Sequence, residues 1–211
     1  MNEYFQRISS SYDALADDYI ARIYHELEHK PLDREWLARL AAAVGTPGPI
    51  CDMGCGPGHV ARYLHEQGAH VLGIDLSPRM IERARQLNAG MEFRVGNMAA
   101  LDVADSSWSG IAAFYSIIHI PPAELAAVLA EFWRVLRPGG EVLLAFHAGD
   151  ELRHVDELWE HQVSLDFLFY PRVLIEDHLR AAGFEIVESI ERDPYEGFEV
   201  ATRRTYLRAR K

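Results

Sequence analysis

The sequence lacks several features, each of which would have indicated a particular class of protein. It has only 2 cysteines, Cys51 and Cys55, within one glycine-rich stretch. No disulfide framework is therefore predicted, and we expect a reducing, cytoplasmic setting. Positive charge is also scarce, because 21 Lys and Arg stand against 32 Asp and Glu. The formal net charge of -11 disfavours nucleic acid as a partner, since like charges repel. Finally, no apolar run approaches a membrane span and no leader pattern opens the chain, so we expect no membrane partner.

The 211 residues, 49% of them hydrophobic, predict one domain. Apolar residues at four-residue spacing predict a helix up to about Leu27, with a second helix after Pro31. After a Gly/Pro segment at 45–49, short apolar runs alternate with helical patterns, which is typical of βαβ units on a parallel sheet. The predicted strands are 50–53, 71–74, 91–95, 111–115 and 142–146, then two consecutive strands, 184–191 and 205–209, which should pair antiparallel. A helix is predicted over 124–136.

The first predicted strand runs into Asp52-Met53-Gly54-Cys55-Gly56-Pro57-Gly58, a glycine-rich bend before a helix. Glycine lets a ligand approach the backbone closely, and the following helix N-terminus offers free amide donors. A dinucleotide-binding bend has its third glycine three residues after the second, where this chain has His59. The tighter spacing therefore indicates a cofactor site that departs from the pyrophosphate-binding type. Cys51 and Cys55 are interpreted as buried and small loop residues, not as a redox pair.

Four stretches in order resemble class I S-adenosylmethionine-dependent methyltransferases of the small-molecule type. They are Ile50 to Gly58, Gly73-Ile74-Asp75, Gly96-Asn97-Met98 and Leu136-Arg137-Pro138-Gly139-Gly140. The resemblance implies S-adenosyl-L-methionine as cofactor, with Asp75 on the ribose hydroxyls, Asn97 at the adenine edge and a structural role for the last stretch. It also implies a Rossmann-like, doubly wound α/β fold. The expected sheet is seven-stranded and mostly parallel, with an antiparallel C-terminal strand and an N-terminal helical lid.

The N-terminal stretch Ser11 to Ala16, with Tyr19, is similar to the helix that folds over the cofactor in many small-molecule methyltransferases. An aromatic ring near a sulfonium gains about 1 kcal/mol of cation–π attraction. Tyr19 is therefore the first candidate for a ring beside the sulfonium, and Tyr12 is the second. The alternative is that these tyrosines only pack in the core. The predicted cofactor-binding residues are Tyr12, Tyr19, Asp52, Gly54, Gly56, Gly58, Asp75, Leu76, Met80, Asn97, Met98, Tyr115 and Ser116.

Methyl transfer depends mainly on alignment and on exclusion of water, and a general base can add roughly 10² to 10⁴ in rate for a hydroxyl acceptor. His119 and His147 follow the fourth and fifth predicted strands, at the edge where ligands collect, and are the catalytic candidates. The alternative for His119 is an exposed or helix-capping histidine. No metal site is predicted from His147, His154 and His161, although Glu157 would stand four residues before His161 on a possible helix, because their wide spacing hardly constrains ligand geometry.

The sequence predicts one methyltransferase domain over 1–211. Its parts are a helical lid (1–45), a cofactor-binding core (50–147), an insertion (148–171) and a C-terminal helix with two strands (172–211). The insertion is aromatic and histidine-rich, so it forms either the acceptor-pocket wall or an ordinary amphipathic cover. The predicted activity is methyl transfer to an O, N or S atom of a small molecule.

Two alternatives stay open at this point. The first is an aminopropyltransferase, although Tyr115-Ser116 lacks the acidic residues that orient an amine in such enzymes. The second is a cofactor-binding regulatory module without turnover. Enzymes that methylate nucleic acid bases or glutamine carry an Asn/Asp-Pro-Pro-aromatic tetrad, and this chain has Ile120-Pro121-Pro122-Ala123 in its place. That departure disfavours both substrates.

Overall fold

The structure is a computed structural model that describes residues 2–45 and 48–211. Met1, and Thr46 and Pro47 of the predicted Gly/Pro segment, lie outside the described residues. The described helices are α1 (Glu3–Ile23), α2 (Pro31–Val44), α3 (His59–Glu66), α4 (Pro78–Leu87), α5 (Pro122–Val135) and α6 (Arg172–Ala182). The described strands are β1 (Ile50–Met53), β2 (Val71–Asp75), β3 (Glu92–Val95), β4 (Trp108–Phe114), β5 (Leu136–His147), β6 (Leu152–Leu158), β7 (His161–Leu168), β8 (Glu185–Arg192) and β9 (Arg204–Arg210).

Seven strands form one sheet in the order β3-β2-β1-β4-β5-β9-β8. The first five strands along the chain pair in parallel, while β9 runs antiparallel to both β5 and β8. The predicted Rossmann-like sheet with one antiparallel C-terminal strand is therefore confirmed. The strand order reverses between β1 and β4, and open α/β sheets bind ligands at the carboxyl ends of the strands at such a point.

Helices cover both faces of the sheet, as a doubly wound fold requires. One buried cluster joins α5 and α6 to the sheet and includes Leu125 and Ile175. The cluster on the other side includes Leu37 of α2 and Leu64 of α3. Thus α2, although predicted as part of the lid, packs into a sheet core, and α1 alone of the first two helices reaches over the carboxyl edge. None of the helices in the described ranges combines the length and apolar character needed to cross a membrane.

The predicted elements are present, with shifted boundaries. Helix α5 ends at Val135, and β5 begins immediately at Leu136 instead of at residue 142. The cause is the stretch Leu136 to Gly140, which continues as strand through an irregular register opposite Trp108. Gly139 takes a positive φ of 78° there, and its N–H donates to the carbonyl of Lys211. The stretch therefore ends the helix as predicted and also forms the beginning of β5.

The insertion after β5 differs from the prediction. The possible helix around residues 157–161 is wrong, because β6 and β7 form an antiparallel hairpin with a two-residue turn at Trp159-Glu160. The alternating residues of β7 explain the difference, since Leu165 is fully buried against Ile8 and Leu15 of α1. We call α1 together with this hairpin, residues 3–23 and 152–168, the cover.

Candidate active site

A cavity lies under the cover at the carboxyl ends of β1, β2 and β4. It encloses about 710 Å³ of empty space, counting the part open to solvent. Every predicted cofactor-binding residue except Asp52 and Gly58 lines it, namely Tyr12, Tyr19, Gly54, Gly56, Asp75, Leu76, Met80, Asn97, Met98, Tyr115 and Ser116. We call this space the first cavity.

Asp75 and the glycine bend are hydrogen-bonded to each other in the wall of this cavity. The N–H of Gly56 donates to Asp75 Oδ2 and the N–H of Ser77 donates to Asp75 Oδ1, each at 2.8 Å. Burial raises the pKa of Asp75, while these backbone N–H groups act in the opposite direction. Each carboxylate oxygen has a further lone pair, so the side chain can accept two more hydrogen bonds from a ligand. That capacity matches the two hydroxyls of a ribose.

Two positions in the bend require glycine. Gly54 has a φ of +74°, and a Cβ on it would stand 2.3 Å from the Cβ of Ser116. Gly56 has a φ of +50°, and its Cβ would enter the space below Tyr19, 3.6 Å from the ring. The glycines thus let β1 approach β4 and keep the cavity open. Ser116 Oγ is buried there without a hydrogen-bond partner in residues 2–45 and 48–211, as expected of a group that serves a polar ligand.

Asp52 and Gly58 lie behind the bend, outside the cavity lining. Asp52 Oδ2 accepts a hydrogen bond of 2.9 Å from the N–H of Ala61 in the first turn of α3. Its burial raises the pKa of the carboxyl to about 7, although His59 and the Ala61 N–H oppose the shift. A Cβ on Gly58 would stand 2.8 Å from Asn88 Nδ2 and from the ring of Phe93. Both residues therefore support the bend from the side away from the cavity. The sequence placed them at the cofactor because motif spacing alone does not distinguish the two sides of the bend.

Asn97 lies in the turn after β3. Its Oδ1 accepts a hydrogen bond of 3.0 Å from the N–H of Ala99, which fixes the side chain at the cavity edge. The same oxygen can accept once more, and the amide group can donate. The side chain is therefore equipped to meet the donors and acceptors of a base edge, as the resemblance implies.

His119 follows β4 and contacts the cover from below. Its Nδ1 lies 2.8 Å from the carbonyl oxygen of Asp166, which can only accept, so Nδ1 carries the hydrogen. Its Nε2 therefore accepts from the hydroxyl of Tyr12, 2.6 Å away. Burial lowers the pKa of His119 to about 4, so the ring is neutral at pH 7. The exposed-histidine alternative does not describe this residue, which is 7% exposed.

A second cavity adjoins the first, with Tyr12, Tyr19 and Tyr115 lining both; it contains about 950 Å³ of empty space, counting the part open to solvent. The hairpin contributes Leu158, Trp159 and Phe167 to its wall. The predicted catalytic residue His147 lies here and not in the first cavity. Among the described residues, the lining residues that were not predicted as site residues include Ile23, Glu26, Lys30, Ile118, Phe198, Glu199, Val200 and Arg204.

The cavity-lining residues that the sequence did not indicate are of two kinds. Phe5 and Ile8 line the first cavity from the helix face that carries Tyr12, so extending the helical period from Tyr12 toward the N-terminus would have found them. Lys30, Glu199 and Arg204 come from three distant segments, and no local pattern joins them. They meet only because β9 lies beside β5 and the β8–β9 loop reaches α2.

His147, His154 and His161 have separate partners. His147 Nδ1 lies 2.9 Å from Thr202 Oγ1, His154 Nδ1 lies 2.6 Å from Asp166 Oδ1, and His161 Nε2 lies 2.6 Å from Asp18 Oδ2. Across residues 2–45 and 48–211, no group of three or more His, Cys, Asp and Glu side chains is placed to hold a metal ion.

Comparisons with known proteins agree with this architecture. Residues 50–140 match a family model described as a methyltransferase domain. A malonyl-[acyl-carrier protein] O-methyltransferase of Serratia marcescens is 31% identical over 159 residues, which cover 74% of this chain and 56% of that protein. The chain thus spans somewhat more than half the length of this curated relative.

Two solved structures share the fold. The magnesium protoporphyrin IX methyltransferase of Synechocystis PCC 6803, with bound S-adenosylmethionine, superposes with a TM-score of 0.75 at 19% identity, covering 100% of this chain and 98% of that one. The 1,6-didemethyltoxoflavin-N1-methyltransferase of Burkholderia thailandensis superposes with a TM-score of 0.71 at 23% identity, covering 99% and 89%. These two structures show the same fold. The family match, which spans the glycine bend and Asp75, and the relative at 31% identity identify the chain as a member of the class I S-adenosylmethionine-dependent methyltransferases.

Proposed function

We propose that the protein is an active methyltransferase that moves a methyl group from S-adenosylmethionine to an O, N or S atom of a small molecule in the second cavity. One observation carries this proposal. The first cavity, where Asp75 is hydrogen-bonded to the glycine bend, shares three lining tyrosines with a second cavity that has aromatic walls. A cofactor-binding module without turnover would need only the first of the two spaces.

The residues of the first cavity fit the cofactor. Asp75 would hold the ribose, Asn97 and Met98 the adenine, and the bend at Gly54 and Gly56 the amino-acid end. When bound, S-adenosylmethionine supplies an electrophilic methyl group on a positively charged sulfur. Tyr12 and Tyr19, which line the first cavity beneath the cover, would supply aromatic rings for the sulfonium, and the cover would limit the access of water to the bound cofactor.

Tyr12 and His119 are proposed to take up a proton from an acceptor hydroxyl or amine. The hydroxyl of Tyr12 is committed to His119 Nε2, so its oxygen can only accept from a ligand. In the proposed relay the acceptor's proton passes to Tyr12 Oη, while the Tyr12 proton passes to His119 Nε2. The hydrogen bond from Nδ1 to the Asp166 carbonyl then holds the charged ring. Tyr12 is thus the catalytic residue and His119 positions it.

The alternatives receive less support. Tyr115-Ser116 places no acidic group after β4, which disfavours aminopropyl transfer. The relatives are named for acceptors of different kinds, which supports methyl transfer without selecting one acceptor. The net charge of -11 disfavours a nucleic acid acceptor. A cytoplasmic location is proposed because both cysteines are free.

Titration calorimetry with S-adenosylmethionine, S-adenosylhomocysteine and NAD tests the cofactor. We expect both adenosyl compounds to bind more tightly than NAD. Asp75→Ala should weaken their binding by about 1 to 3 kcal/mol, because ribose hydroxyls lose their acceptor. Asp177→Ala, which removes an exposed carboxylate on α6, is the matched control and should bind normally.

Turnover is measured by methyl incorporation into a metabolite extract. Tighter binding of NAD than of the adenosyl compounds would refute the cofactor assignment. Tight binding of S-adenosylmethionine without incorporation into any extract would instead favour the regulatory module.

A further inference from the structure

The second cavity has one wall that carries unused hydrogen-bond donors. His147 of β5 and Arg204 of β9 are directly opposite each other in the antiparallel register, and both line the cavity. Side chains at such paired positions are neighbours, with Cβ atoms roughly 5 Å apart. Thr202 links them, since its Oγ1 lies 2.9 Å from His147 Nδ1 and 3.3 Å from Arg204 Nη1.

Arg204 is 2% exposed, and of its three guanidinium nitrogens only Nη1 makes hydrogen bonds within the described residues. Nη1 donates to the carbonyl oxygens of Val200 and Thr202, and Nε lies 3.1 Å from Glu199 Oε1. Nη2 has no hydrogen-bond partner in residues 2–45 and 48–211. A buried guanidinium with two free N–H groups on a cavity wall is suited to receive an acceptor atom from a ligand.

His147 presents a second donor. One lone pair of Thr202 Oγ1 accepts from Nη1 of Arg204, and the hydroxyl hydrogen is placed to donate to His147 Nδ1. In that tautomer the ring hydrogen of neutral His147 is on Nε2, for which no hydrogen bond is found within the described ranges. Burial is the main cause that lowers the pKa of His147 to about 4; the charges of Arg204, Lys30 and Arg153 act in the same direction, and the charge of Glu199 opposes them.

The carboxylates near this wall are already engaged. Glu199 accepts from both terminal nitrogens of Arg192, at 2.6 and 3.0 Å, and from the N–H of Tyr195. Glu26 pairs with Lys30 at 2.7 Å and with His59 at 3.2 Å. Neither side chain is free to receive a cationic ligand. Because the carboxylates and cations of this wall are paired with one another, the groups left for a ligand are the two open donors, Nη2 of Arg204 and Nε2 of His147.

We propose that His147 and Arg204 form a carboxylate-binding pair, and that the acceptor of the proposed methyltransferase is a small apolar molecule with a carboxylate. This inference rests on the proposed function and names its substrate class. Two donors on adjacent strands match the two oxygens of a carboxylate. Glu199, beside Arg204, disfavours a doubly charged phosphate. Trp159, Phe167 and Phe198 supply the apolar walls for the rest of the molecule.

The test is calorimetry on the full chain saturated with S-adenosylhomocysteine, whose own binding is measured first. The probes are benzoate, cinnamate and octanoate, each with its primary amide, and phenyl phosphate. We expect at least one carboxylate to bind on the order of tenfold to a hundredfold more tightly than its amide. Arg204→Gln and His147→Phe should each remove most of that preference, and Arg204→Lys should retain part of it.

Arg203→Gln is the matched control, because Arg203 is the neighbouring arginine and 58% of its side chain is exposed. It should keep the full preference for carboxylates. His147→Phe preserves the ring that stacks on Phe169, so it serves where Arg204→Gln does not fold. Three results would each overturn the proposal. They are equal affinity for the carboxylate and the amide in every probe pair, an unchanged carboxylate preference in folded Arg204 and His147 variants, and tighter binding of phenyl phosphate than of benzoate. Failure of S-adenosylhomocysteine to bind would count against the proposed function itself.

Discussion

At the scale of single residues, the environment of His119 differs most from that of an ordinary histidine. Both ring nitrogens have a protein partner, and one partner, the Asp166 carbonyl, fixes the tautomer. Its pKa is lowered to about 4 by burial, from an unfolded value near 6.5. The folded protein therefore binds fewer protons here than the unfolded chain between about pH 4 and 6.5. The stability contributed by this residue is complete above pH 6.5 and is lost as the pH falls toward 4.

Nitrogen NMR of histidine-labelled protein tests this pair without knowledge of the acceptor. We expect His119 to stay neutral, with hydrogen on Nδ1, as the pH falls from 7 to 5. His154 is an internal comparison, because hydrogen bonds to Asp166 and Asp156 raise its pKa. It should thus be largely protonated while His119 is still neutral. In Tyr12→Phe the Nε2 signal should move, because it loses its donor. A His119 that titrates together with His154 would contradict the proposed relay.

What the sequence can predict about the site depends on how local the signal is. Asp75 and the glycine bend were predictable, because a strand that ends in a carboxylate and a bend with fixed spacing are features of short segments. The sequence did not predict which side of the bend each residue faces, because Asp52 and Gly58 were expected at the cofactor and lie outside the cavity lining. Arg204 and Lys30 could not be found, because their positions depend on strand pairing between distant segments.

At the scale of elements, the β6–β7 hairpin has an unusual turn. Trp159 and Glu160 have φ values of 51° and 68°, the conformation of a type I′ turn, which favours Asn-Gly. Residues other than glycine are strained there by about 1 to 3 kcal/mol each. Trp159 lines the second cavity, with its ring centroid 6.0 Å from that of Tyr19. The absence of the usual turn sequence explains why the hairpin was not predicted.

Two substitutions separate the strain in this turn from the function of the indole. Glu160→Gly should raise the free energy of unfolding by about 1 kcal/mol, because glycine adopts a positive φ without strain, and should leave methyl incorporation unchanged. Trp159→Asn relieves similar strain but removes a cavity wall, so incorporation should fall. Urea unfolding and the extract assay measure the two effects. Equal incorporation by both variants would show that the ring has no part in acceptor binding.

At the scale of the whole molecule, the sheet and the cover are held by different forces. The sheet is buried in apolar clusters on both faces, and the alternation of short apolar runs with helical patterns made its parallel βαβ units predictable from the sequence. The cover has a smaller apolar cluster and many polar contacts. Arg7 pairs with Asp166 at 2.6 Å, the Ser164 N–H donates to Ser11 Oγ at 3.0 Å, and Ser9 Oγ donates to the Leu76 carbonyl at 3.0 Å. Contacts of this kind exchange readily with water, so the cover should open before the sheet does.

Hydrogen exchange should detect this difference when S-adenosylhomocysteine binds. Residues 3–23 line the first cavity through Phe5, Ile8, Tyr12 and Tyr19, so a bound ligand adds contacts to α1 and, through α1, to residues 152–168. We expect these two segments to show the largest slowing of exchange, because local opening would expose the ligand. Strand β5 should change less, since its amides already exchange only through larger openings.

The Asp75→Ala variant at the same ligand concentration is the control, because the same cover is present while the ribose lacks its acceptor. It should show much weaker slowing in both segments. Uniform slowing along the whole chain of the unsubstituted protein would mean that the cover and the sheet open as one unit. In that case α1 could not act as a separate lid, and ligand entry would require a different route into the first cavity.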